Sequence, residues 1–515
     1  MEYKRGSLSN EELIHLYESI LWPRMIEEKM LVLLRQGKIS KWFSGIGQEA
    51  IAVGATLAMD PTEWIMPLHR NLGVFTSRKM PLTDLFKQWQ GDRSSYSKAR
   101  ERSFHFGSKA HHVCGMISHL GPQLAIADGV ALAYQQRGQL KASMAFTGDG
   151  GTSEGDFHEA LNVAAVWNLP VIFIIENNGY GLSTPTNEQY KCDHLVDRAK
   201  GYGMEGIRID GNNILEVYDT IKGIRNYCIE NQKPYLIECM TFRMRGHEEA
   251  SGVKYVPTAL FEIWGKKDPL MNYENFLLEQ HILTSSIVEG IREEFKQYIE
   301  QSLERGFAEP PVVPVTEDEV RDVYAPYVSS TTPGFDAFPK KEMKLINAIT
   351  EGLDEGMKHH SNLVLMGQDI AEYGGAFKVS KGLSTKFKER VIGTSISEGL
   401  IAGVANGLAL NGFKPYAEFM FGDFTALAFD QFINHAAKIY NMYNKKITCP
   451  VVFRTPMGGK RGYGPTHSQS LEKHFIGMDM FEIIALNKYL NIKWLNLIGL
   501  NSLFSLFNFV NLIKF

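Results

Sequence analysis

Cysteine is scarce in this sequence, and no long run of basic residues occurs. The five cysteines among 515 residues are scattered, and none forms a Cys-x-x-Cys pair. This usage argues against a disulfide framework and fits a reducing compartment best. The formal net charge is −4. Without a basic stretch, nucleic acid is disfavoured as the main partner.

The start of the chain, residues 1–7, also lacks the apolar core that a secretory signal needs. We therefore expect a cytoplasmic protein with no membrane partner. The composition, with 44% hydrophobic and 22% charged residues, is that of a soluble globular protein. Length alone suggests roughly three domains.

One stretch rich in glycine and asparagine organises the rest of the chain. Ser143 to Thr147 is a short apolar run, Glu154 to Trp167 has helical periodicity, and Pro170 to Ile175 is a β-branched run before Asn-Asn-Gly. This order predicts a βαβ unit. Neighbouring parallel strands leave their carboxyl ends at one edge of the sheet, where ligands bind. We therefore expect Asp149 and Asn178 to meet at that edge.

The oxygen atoms of this stretch suit a hard cation. The Asp149 carboxylate, the Asn178 amide oxygen and the Tyr180 carbonyl form a donor set for octahedral Mg²⁺. Gly148 and Gly150 allow a diphosphate to approach the backbone closely. A bare Gly-Asp-Gly is usually a simple turn. Here, however, a predicted helix and strand fill the 29 residues that separate Asp149 from Asn178.

This spacing resembles the magnesium and thiamin diphosphate motif of thiamin-dependent enzymes. The stretch GDGGTSEGDFHEALNVAAVWNLPVIFIIENNGYGLST is similar to the α subunit of the decarboxylating first component of 2-oxoacid dehydrogenase complexes. The resemblance implies thiamin diphosphate and Mg²⁺ as cofactors. It also implies that Asp149, Asn178 and Tyr180 hold the metal, and that these residues together with Gly148 and Gly150 bind the cofactor.

Four further residues of this first module match places that bind the cofactor in the family. The resemblance assigns the diphosphate to Arg70, whose fork of donors suits it, and the cofactor rings to Ser118 and Leu120. His247 is assigned to the diphosphate and the active-site entrance. The alternative for Arg70 is a surface arginine paired with an acid. For Ser118 and Leu120 it is a plain strand-to-helix connection, and for His247 a solvated loop histidine.

A second module repeats the α/β alternation. Its motifs KVSKGL, TSISEGLIAGVANGLALNG, FDQFINHAAK and GPTHSQS resemble the β subunit of the same enzymes, so the chain looks like a fusion of the α and β subunits. The strands are predicted at Leu363 to Met366, Arg390 to Gly393, Lys414 to Phe419 and Pro450 to Arg454. The helices are predicted at Met343 to His359, Ser397 to Leu410 and Phe424 to Tyr443.

The resemblance makes Glu398 the main catalytic candidate. It implies that this glutamate bonds a pyrimidine ring nitrogen of the cofactor, with Ile396 and Phe424 on the same side and His467 near the substrate. The alternative for Glu398 is a capping box with Ser395. Phe424 is equally well explained as a core aromatic, and His467 as an ordinary loop histidine.

The predicted fold class is α/β, with two thiamin-diphosphate-binding, transketolase-like, doubly wound parallel-sheet modules. We expect an α-subunit-like module at 1–305, a linker at 306–340, an incomplete β-subunit-like module at 341–488 and an aberrant hydrophobic tail at 489–515. Five asparagines disfavour a membrane span in the tail. A chain truncated or frame-shifted at its C-terminus is the expectation.

The resemblance implies oxidative decarboxylation of a branched-chain 2-oxoacid, with 3-methyl-2-oxobutanoate as the first candidate substrate and pyruvate as the second. The acyl group would pass to the lipoyl group of a partner acyltransferase, and the cofactor would carry out the carbon chemistry. A homodimer of fused chains is expected. The alternative from another class is a non-catalytic, truncated paralogue that only occupies the acyltransferase core.

Overall fold

The computed structural model describes residues 1–101, 103–116, 118–323, 342–459, 462–478, 480–486 and 505–511. The chain divides into two compact units. Unit 1 is Met1–Ala127, Gly138–Val312 and Asn441–Asn444. Unit 2 is Asp128–Arg137, Val313–Tyr440 and Lys445–Phe515.

Unit 1 contains a parallel sheet of five strands. The strands before residue 313 are β1 (Ile65–Met66), β2 (Ser143–Gly148), β3 (Val171–Asn177), β4 (Tyr180–Gly181), β5 (Thr184–Pro185), β6 (Glu205–Asp210) and β7 (Tyr235–Met240). The sheet order is β1-β2-β3-β7-β6, while β4 and β5 form a separate antiparallel hairpin. All seven residues of β3 are buried, as expected for a central parallel strand.

The α-helices described up to residue 323 alternate with these strands or flank them in the sequence. They are α1 (Asn10–Arg35), α2 (Glu49–Ala58), α3 (Leu72–Ser77), α4 (Leu82–Gln90), α5 (Pro122–Gln136), α6 (Gly155–Trp167), α7 (Arg198–Tyr202), α8 (Ile214–Asn231), α9 (Thr258–Gly265), α10 (Pro269–Glu279), α11 (Ser285–Gly306) and α12 (Thr316–Val323). Helix α6 follows β2 and precedes β3, so the predicted βαβ unit is present.

Helix α1 begins at a capping box. The Glu12 amide donates to Ser9 Oγ at 3.2 Å, and the Ser9 amide donates to Glu12 Oε2 at 2.8 Å. The Ser-x-x-Glu spacing of these two residues is the sequence signature of such a box. The helix buries Leu13 and Tyr17 in a core cluster that includes Tyr273 of α10.

Unit 2 contains a second parallel sheet. Its strands are β8 (Leu363–Gln368), β9 (Val391–Thr394), β10 (Lys414–Glu418), β11 (Val452–Met457), β12 (Phe481–Leu486) and β13 (Ser505–Asn511), in the order β12-β13-β11-β10-β8-β9. The helices that follow residue 341 are α13 (Leu345–His359), α14 (Leu383–Lys386), α15 (Glu398–Leu410) and α16 (Ile439–Met442). Two parallel α/β sheets confirm the predicted fold class.

The helix predicted at Phe424 to Tyr443 is wrong. The structure has a 3₁₀ turn at Gly422–Ala428, a π-helical turn at Gln431–Ala436 and then the short α16. Gly422 packs so tightly against Met457 that a side chain there would overlap it. Packing against β11 thus overrides a helical periodicity that looked regular in sequence.

Parts of two predicted segments lie outside the described residues. Of the expected linker 306–340, helix α12 is described, and residues 324–341 are not. Of the expected tail, 505–511 are described, and they form β13 between β11 and β12. The sequence analysis did not predict this strand. Within the described ranges, none of the helices combines the length and apolar character that crossing a membrane requires.

Candidate active site

Asp149 and Asn178 lie just past the carboxyl ends of two neighbouring strands. Strands β2 and β3 are parallel, with Gly148 opposite Glu176. The Asp149 side chain is 1% exposed and Asn178 is 7% exposed. The loops after the two strands pack together, because a Cβ on Gly150 would lie only 2.9 Å from the Cα of Gly181. The predicted site residues are therefore at one edge of one sheet.

Gly148 and Gly150 serve different purposes at this edge. The close approach to Gly181 explains why residue 150 has no side chain. A Cβ on Gly148 would meet no atom within 4 Å, so the space beside it is open. The open space fits a group that approaches the backbone there, as the sequence predicts for a diphosphate.

Hydrogen bonds orient the Asn178 amide. Its Nδ2 donates to Gln48 Oε1 at 3.5 Å, and its Oδ1 accepts from the Tyr180 amide at 3.2 Å. A carbonyl oxygen has two lone pairs, so Oδ1 retains acceptor capacity for a cation. Gln48 in turn donates to Glu176 Oε2 at 3.3 Å, and Asn71 donates to Glu176 Oε1 at 2.6 Å.

The sequence analysis assigned no role to Gln48 or Glu176. Glu176 is the last residue but one of β3, and its position at the carboxyl end of a central strand is a signal that could have found it. Gln48 only precedes α2, and its contact with a residue 130 positions away is invisible in the sequence.

The Asp149 carboxylate sits where a cation would be favourable. Burial raises the pKa of Asp149 to about 6, and Gln189 Nε2 donates to its Oδ2 at 3.5 Å. A bound divalent cation would favour the ionised form. Among the described residues, no cluster of three or more His, Cys, Asp or Glu side chains could hold a metal. The amide and carbonyl donors predicted from the sequence are of a different kind, and hard oxygens suit Mg²⁺.

Arg70 is a buried cation next to this edge. It is 5% exposed, and its Nη1 donates to the carbonyl of Ser44 at 2.8 Å. Its Nη2 contacts His69 Nε2 at 2.9 Å and the carbonyl of His247 at 3.4 Å. No carboxylate in the described part of the chain forms an ion pair with it. The alternative of a surface arginine paired with an acid is therefore wrong.

A second buried arginine, Arg243, lies close to Arg70, and the sequence analysis missed it. Arg243 is 5% exposed and donates to the Leu182 carbonyl and the Tyr255 hydroxyl, each at 2.8 Å. Burial and the Arg243 charge lower the pKa of Arg70 to about 10. Arg243 is the third residue after β7, so the rule that selected Asp149 could also have found it.

Two arginines near one another, both buried and neither in an ion pair with a carboxylate of the described residues, indicate an anion site. A charge is costly to bury unless it is paired. The fixed N–H donors of guanidinium groups match the oxygens of phosphate. The site thus fits a diphosphate, together with the donor set for its metal.

His247 and His69 lie beside the buried arginines of the site. Their ring centroids are 5.3 Å apart, and both rings pack against Phe43. Burial and the charges of Arg70 and Arg243 lower the pKa of His247 to about 4. Burial and the Arg70 charge hold the pKa of His69 well below its usual range. His247 is half-buried, so it is not the solvated loop residue considered as the alternative.

Of the two predicted residues in the loop before α5, Leu120 contacts this edge and Ser118 contacts a different residue. Leu120 lies against the loop after β2, since a Cβ on Gly151 would be 3.3 Å from the Leu120 Cβ. Ser118 is exposed, and its hydroxyl contacts His105 Nε2 at 2.9 Å. Residue 117 is outside the described residues. The role of both residues stays a prediction.

In unit 2, Glu398 is the first residue of α15, after β9. Its side chain is 7% exposed, and no group in the described part of the chain hydrogen-bonds its carboxyl. The N-cap is Ser397, and Ser395 Oγ contacts Ser397 Oγ at 3.0 Å. The capping box of Ser395 with Glu398 is therefore absent. A buried acid without a hydrogen bond fits a ligand group that would bond it.

Phe424 and His467 lie together in unit 2. Their ring centroids are 5.3 Å apart, and Phe421 is within 5.4 Å of Phe424 and 5.1 Å of His467. Phe424 is half-buried rather than a core aromatic. Ile396, in the loop before α15, is 74% exposed. The rings and Ile396 are thus accessible to a ligand, and their roles remain predictions.

Comparisons with known proteins match both parts of the chain. The family model "Dehydrogenase E1 component" matches residues 17–314, and "Transketolase, pyrimidine binding domain" matches residues 341–489. The two models indicate thiamin diphosphate as the cofactor, and their presence in one chain is what the predicted fusion requires.

Individual relatives match the first part of the chain. The "2-oxoisovalerate dehydrogenase subunit alpha" of Bacillus subtilis is 34% identical over 327 residues, which is 62% of this chain and 97% of that protein. The mitochondrial "2-oxoisovalerate dehydrogenase subunit alpha 2" of Arabidopsis thaliana is 32% identical over 320 residues, 62% of this chain and 67% of that protein. The mitochondrial "2-oxoisovalerate dehydrogenase subunit alpha" of Homo sapiens is 32% identical over 306 residues, which is 59% of this chain and 68% of that protein.

The match to the first model extends over more than half of the 515 residues. It falls on the segment that contains the oxygen donors, both buried arginines and the paired histidines. The chain therefore belongs to the dehydrogenase E1 component family.

Proposed function

We propose that this chain is the first component of a branched-chain 2-oxoacid dehydrogenase complex. It would oxidatively decarboxylate 3-methyl-2-oxobutanoate and transfer the acyl group to the lipoyl group of a partner acyltransferase. The proposal includes Mg²⁺ as the metal and a homodimer of fused chains as the assembly. The names of the relatives, which are 2-oxoisovalerate dehydrogenases at 32–34% identity, support the substrate.

The observation that carries the proposal is the pair of buried arginines, neither of them in an ion pair among the described residues, beside the buried carboxylate of Asp149. Arg70 and Arg243 would bind the diphosphate of thiamin diphosphate. Asp149, Asn178 and the Tyr180 carbonyl would hold the Mg²⁺ that accompanies it. Gln48 would keep the Asn178 oxygen in place through the hydrogen bond to Nδ2.

Thiamin diphosphate supplies a carbon nucleophile and an electron sink for decarboxylation of 2-oxoacids. The residues of unit 2 would hold or move protons and would orient the cofactor ring. Glu398, buried and without a hydrogen bond from the described residues, would hold a proton at a pyrimidine ring nitrogen. Phe424 and Ile396 would contact the same ring. His467 and His247 would act on the substrate as proton donors or acceptors.

An assay with an artificial electron acceptor and a panel of 2-oxoacids tests the proposal. We expect turnover of 3-methyl-2-oxobutanoate that requires both thiamin diphosphate and Mg²⁺, and slower turnover of pyruvate. A preference for pyruvate would overturn the substrate. No cofactor-dependent turnover of any 2-oxoacid, together with no cofactor binding, would overturn the enzyme and favour the non-catalytic paralogue.

Acyl transfer needs its own test. Incubation with a lipoylated domain of a branched-chain acyltransferase should lead to acylation of the lipoyl lysine, detected by mass spectrometry. The same domain without lipoate is the control. Decarboxylation without acylation would contradict the partner part of the proposal and leave the first step intact.

A further inference from the structure

A buried glutamate on helix α1, Glu27, contacts the loop that holds Arg70. Glu27 is 1% exposed. Its Oε2 accepts a hydrogen bond from the Ser44 hydroxyl, and its Oε1 accepts from the Gly45 amide at 2.8 Å. The Ser44 hydroxyl also accepts from the Ile46 amide at 3.2 Å. Three groups of one turn are thus tied, directly or through one hydroxyl, to this carboxyl.

The same turn is held from the other side by Arg70. The carbonyl of Ser44 accepts from Arg70 Nη1 at 2.8 Å. Gly45 fits between the Arg70 carbonyl and Glu27, because a Cβ at residue 45 would overlap the first and lie 3.1 Å from Glu27 Oε1. The turn therefore connects Glu27 to the guanidinium, and a shift of the turn would move the donor geometry of Arg70.

The charges around Glu27 link it to the same cation. Burial raises the pKa of Glu27 to about 7, against the hydrogen bonds from Ser44 and Gly45. The charged groups that face it are Glu49, Arg70 and Arg245. An ionised Glu27 partly offsets the charge of Arg70, and a neutral Glu27 leaves more of that charge for an anion.

We propose that Glu27 is a positioning residue of the diphosphate site, which holds Arg70 in place through the Ser44–Gly45 turn. The inference rests on the proposed function, because that function assigns the diphosphate to Arg70. Glu27 touches neither substrate nor cofactor in this assignment. Its effect passes entirely through the turn and the charge that it places near Arg70.

Binding of inorganic pyrophosphate with Mg²⁺ to the full chain, measured by calorimetry, tests this without any need for turnover. Glu27→Leu removes both acceptors and leaves two donors of the turn unpaired. We expect an affinity about tenfold lower or worse, because the turn that fixes the donor geometry of Arg70 loses the carboxyl that holds it. Ser44→Ala, which removes one of the two links, should weaken binding less. Glu28→Gln, on the exposed side of the same helix, is the matched control and should bind as the parent does.

Glu27→Gln separates positioning from a general loss of structure. Its oxygen still accepts from Gly45 and its amide donates to Ser44 Oγ, so binding should be retained. The pH dependence should change, because glutamine does not ionise. Between about pH 6 and pH 8 the parent should bind pyrophosphate progressively less well than Glu27→Gln. The gap should close below pH 6, where Glu27 is neutral. The ionisation of pyrophosphate cancels in this comparison.

The outcomes distinguish the two levels of the argument. If the parent chain does not bind Mg²⁺-pyrophosphate, the assignment of the diphosphate fails and the proposed function with it. If the parent binds and Glu27→Leu binds equally well, only the positioning role is overturned. If Glu27→Leu does not fold, Ser44→Ala and Glu27→Gln test the positioning role instead. Unchanged affinity in Ser44→Ala, together with a parent-like pH profile in Glu27→Gln, overturns the inference.

Discussion

The imidazole rings of His69 and His247 are in contact, with centroids 5.3 Å apart and planes tilted by 59°, beside two buried arginines. Arg70 Nη2 contacts His69 Nε2 at 2.9 Å. An arginine can only donate, so this nitrogen of His69 carries no proton. Burial and the neighbouring arginine charges therefore favour the neutral form of both histidines.

Binding of an anion should reverse the depression of the histidine pKa values. Without an anion, burial and the two arginines lower the pKa of His247 to about 4. The unfolded chain therefore binds more protons between about pH 4 and 6.5, and this site contributes a loss of stability as the pH falls through that range. Pyrophosphate should raise the pKa of His247, as followed by NMR with His247→Gln for assignment. A value near 6.5 in the anion-free protein would contradict the geometry.

Replacing Arg243 should weaken diphosphate binding, whereas replacing the neighbouring Arg245 should change it little. Arg243→Gln removes a buried donor without a carboxylate partner, and we expect about 10- to 100-fold weaker binding of thiamin diphosphate. Arg245 pairs with Glu249 at 2.6 Å on the partly exposed side of the same loop. Arg245→Gln, the control, should change stability by about 1 kcal/mol or less. Equal effects of the two changes on affinity would refute the anion site.

Asp149→Asn should separate stability from metal binding. Burial raises the pKa of Asp149 to about 6, so in metal-free protein its contribution to stability is full below about pH 4 and is lost as the pH rises through 6. At pH 8 the asparagine variant should therefore melt no lower than the metal-free parent. It should also lose the increase in melting temperature that Mg²⁺ with pyrophosphate gives the parent. Retention of that increase would show that the metal is held elsewhere.

Gly148 and Gly150 should respond differently to alanine. Gly150→Ala places a Cβ 2.9 Å from the Gly181 Cα, and overpacking of this kind costs about 1–3 kcal/mol of unfolding free energy. Gly148→Ala meets no atom within 4 Å, so stability should be unchanged while the affinity for thiamin diphosphate falls. Denaturant unfolding and calorimetry check the two effects. Normal cofactor affinity in Gly148→Ala would place the diphosphate elsewhere.

Glu398→Gln should abolish most turnover without loss of the folded protein. Proton transfer by a positioned side chain contributes roughly 10²- to 10⁴-fold, so kcat should fall by about that factor. Pyrophosphate binding should be unchanged. Ser395→Ala is the control, because the capping box that would couple it to Glu398 is not formed. A similar loss of helix stability in both variants would restore the structural interpretation of Glu398.

Local patterns were sufficient for part of this structure. The apolar runs and the helical period around Asp149 predicted β2, α6 and β3, because each of these elements is defined by its own sequence. The Ser-x-x-Glu spacing occurs at Ser9, where a capping box is present. The same spacing occurs at Ser395, where the box considered as the alternative for Glu398 is absent because the helix begins at Glu398. Spacing alone does not determine where a helix begins.

The residues that escaped prediction act over long distances. Arg243 is 173 positions from Arg70, and Gln48 contacts Asn178 across 130 positions. Glu27 reaches a turn 17 residues further on. None of these pairs produces a periodic pattern, and the burial of Arg243 without an ion pair among the described residues is visible only in the structure. The irregular segment after Phe421 shows the converse, where close packing replaces a helix that the sequence favours.

The two buried arginines also bear on how long the protein survives in a cell. In the described part of the chain neither arginine forms an ion pair with a carboxylate, and nearby acids such as Glu27 offset the charge of Arg70 only in part, so the cofactor-free form carries repulsion that a bound diphosphate relieves. A ligand that binds only the native state stabilises it by mass action. We therefore expect the steady-state abundance of this enzyme to follow the supply of thiamin, with unloaded molecules reaching proteases first.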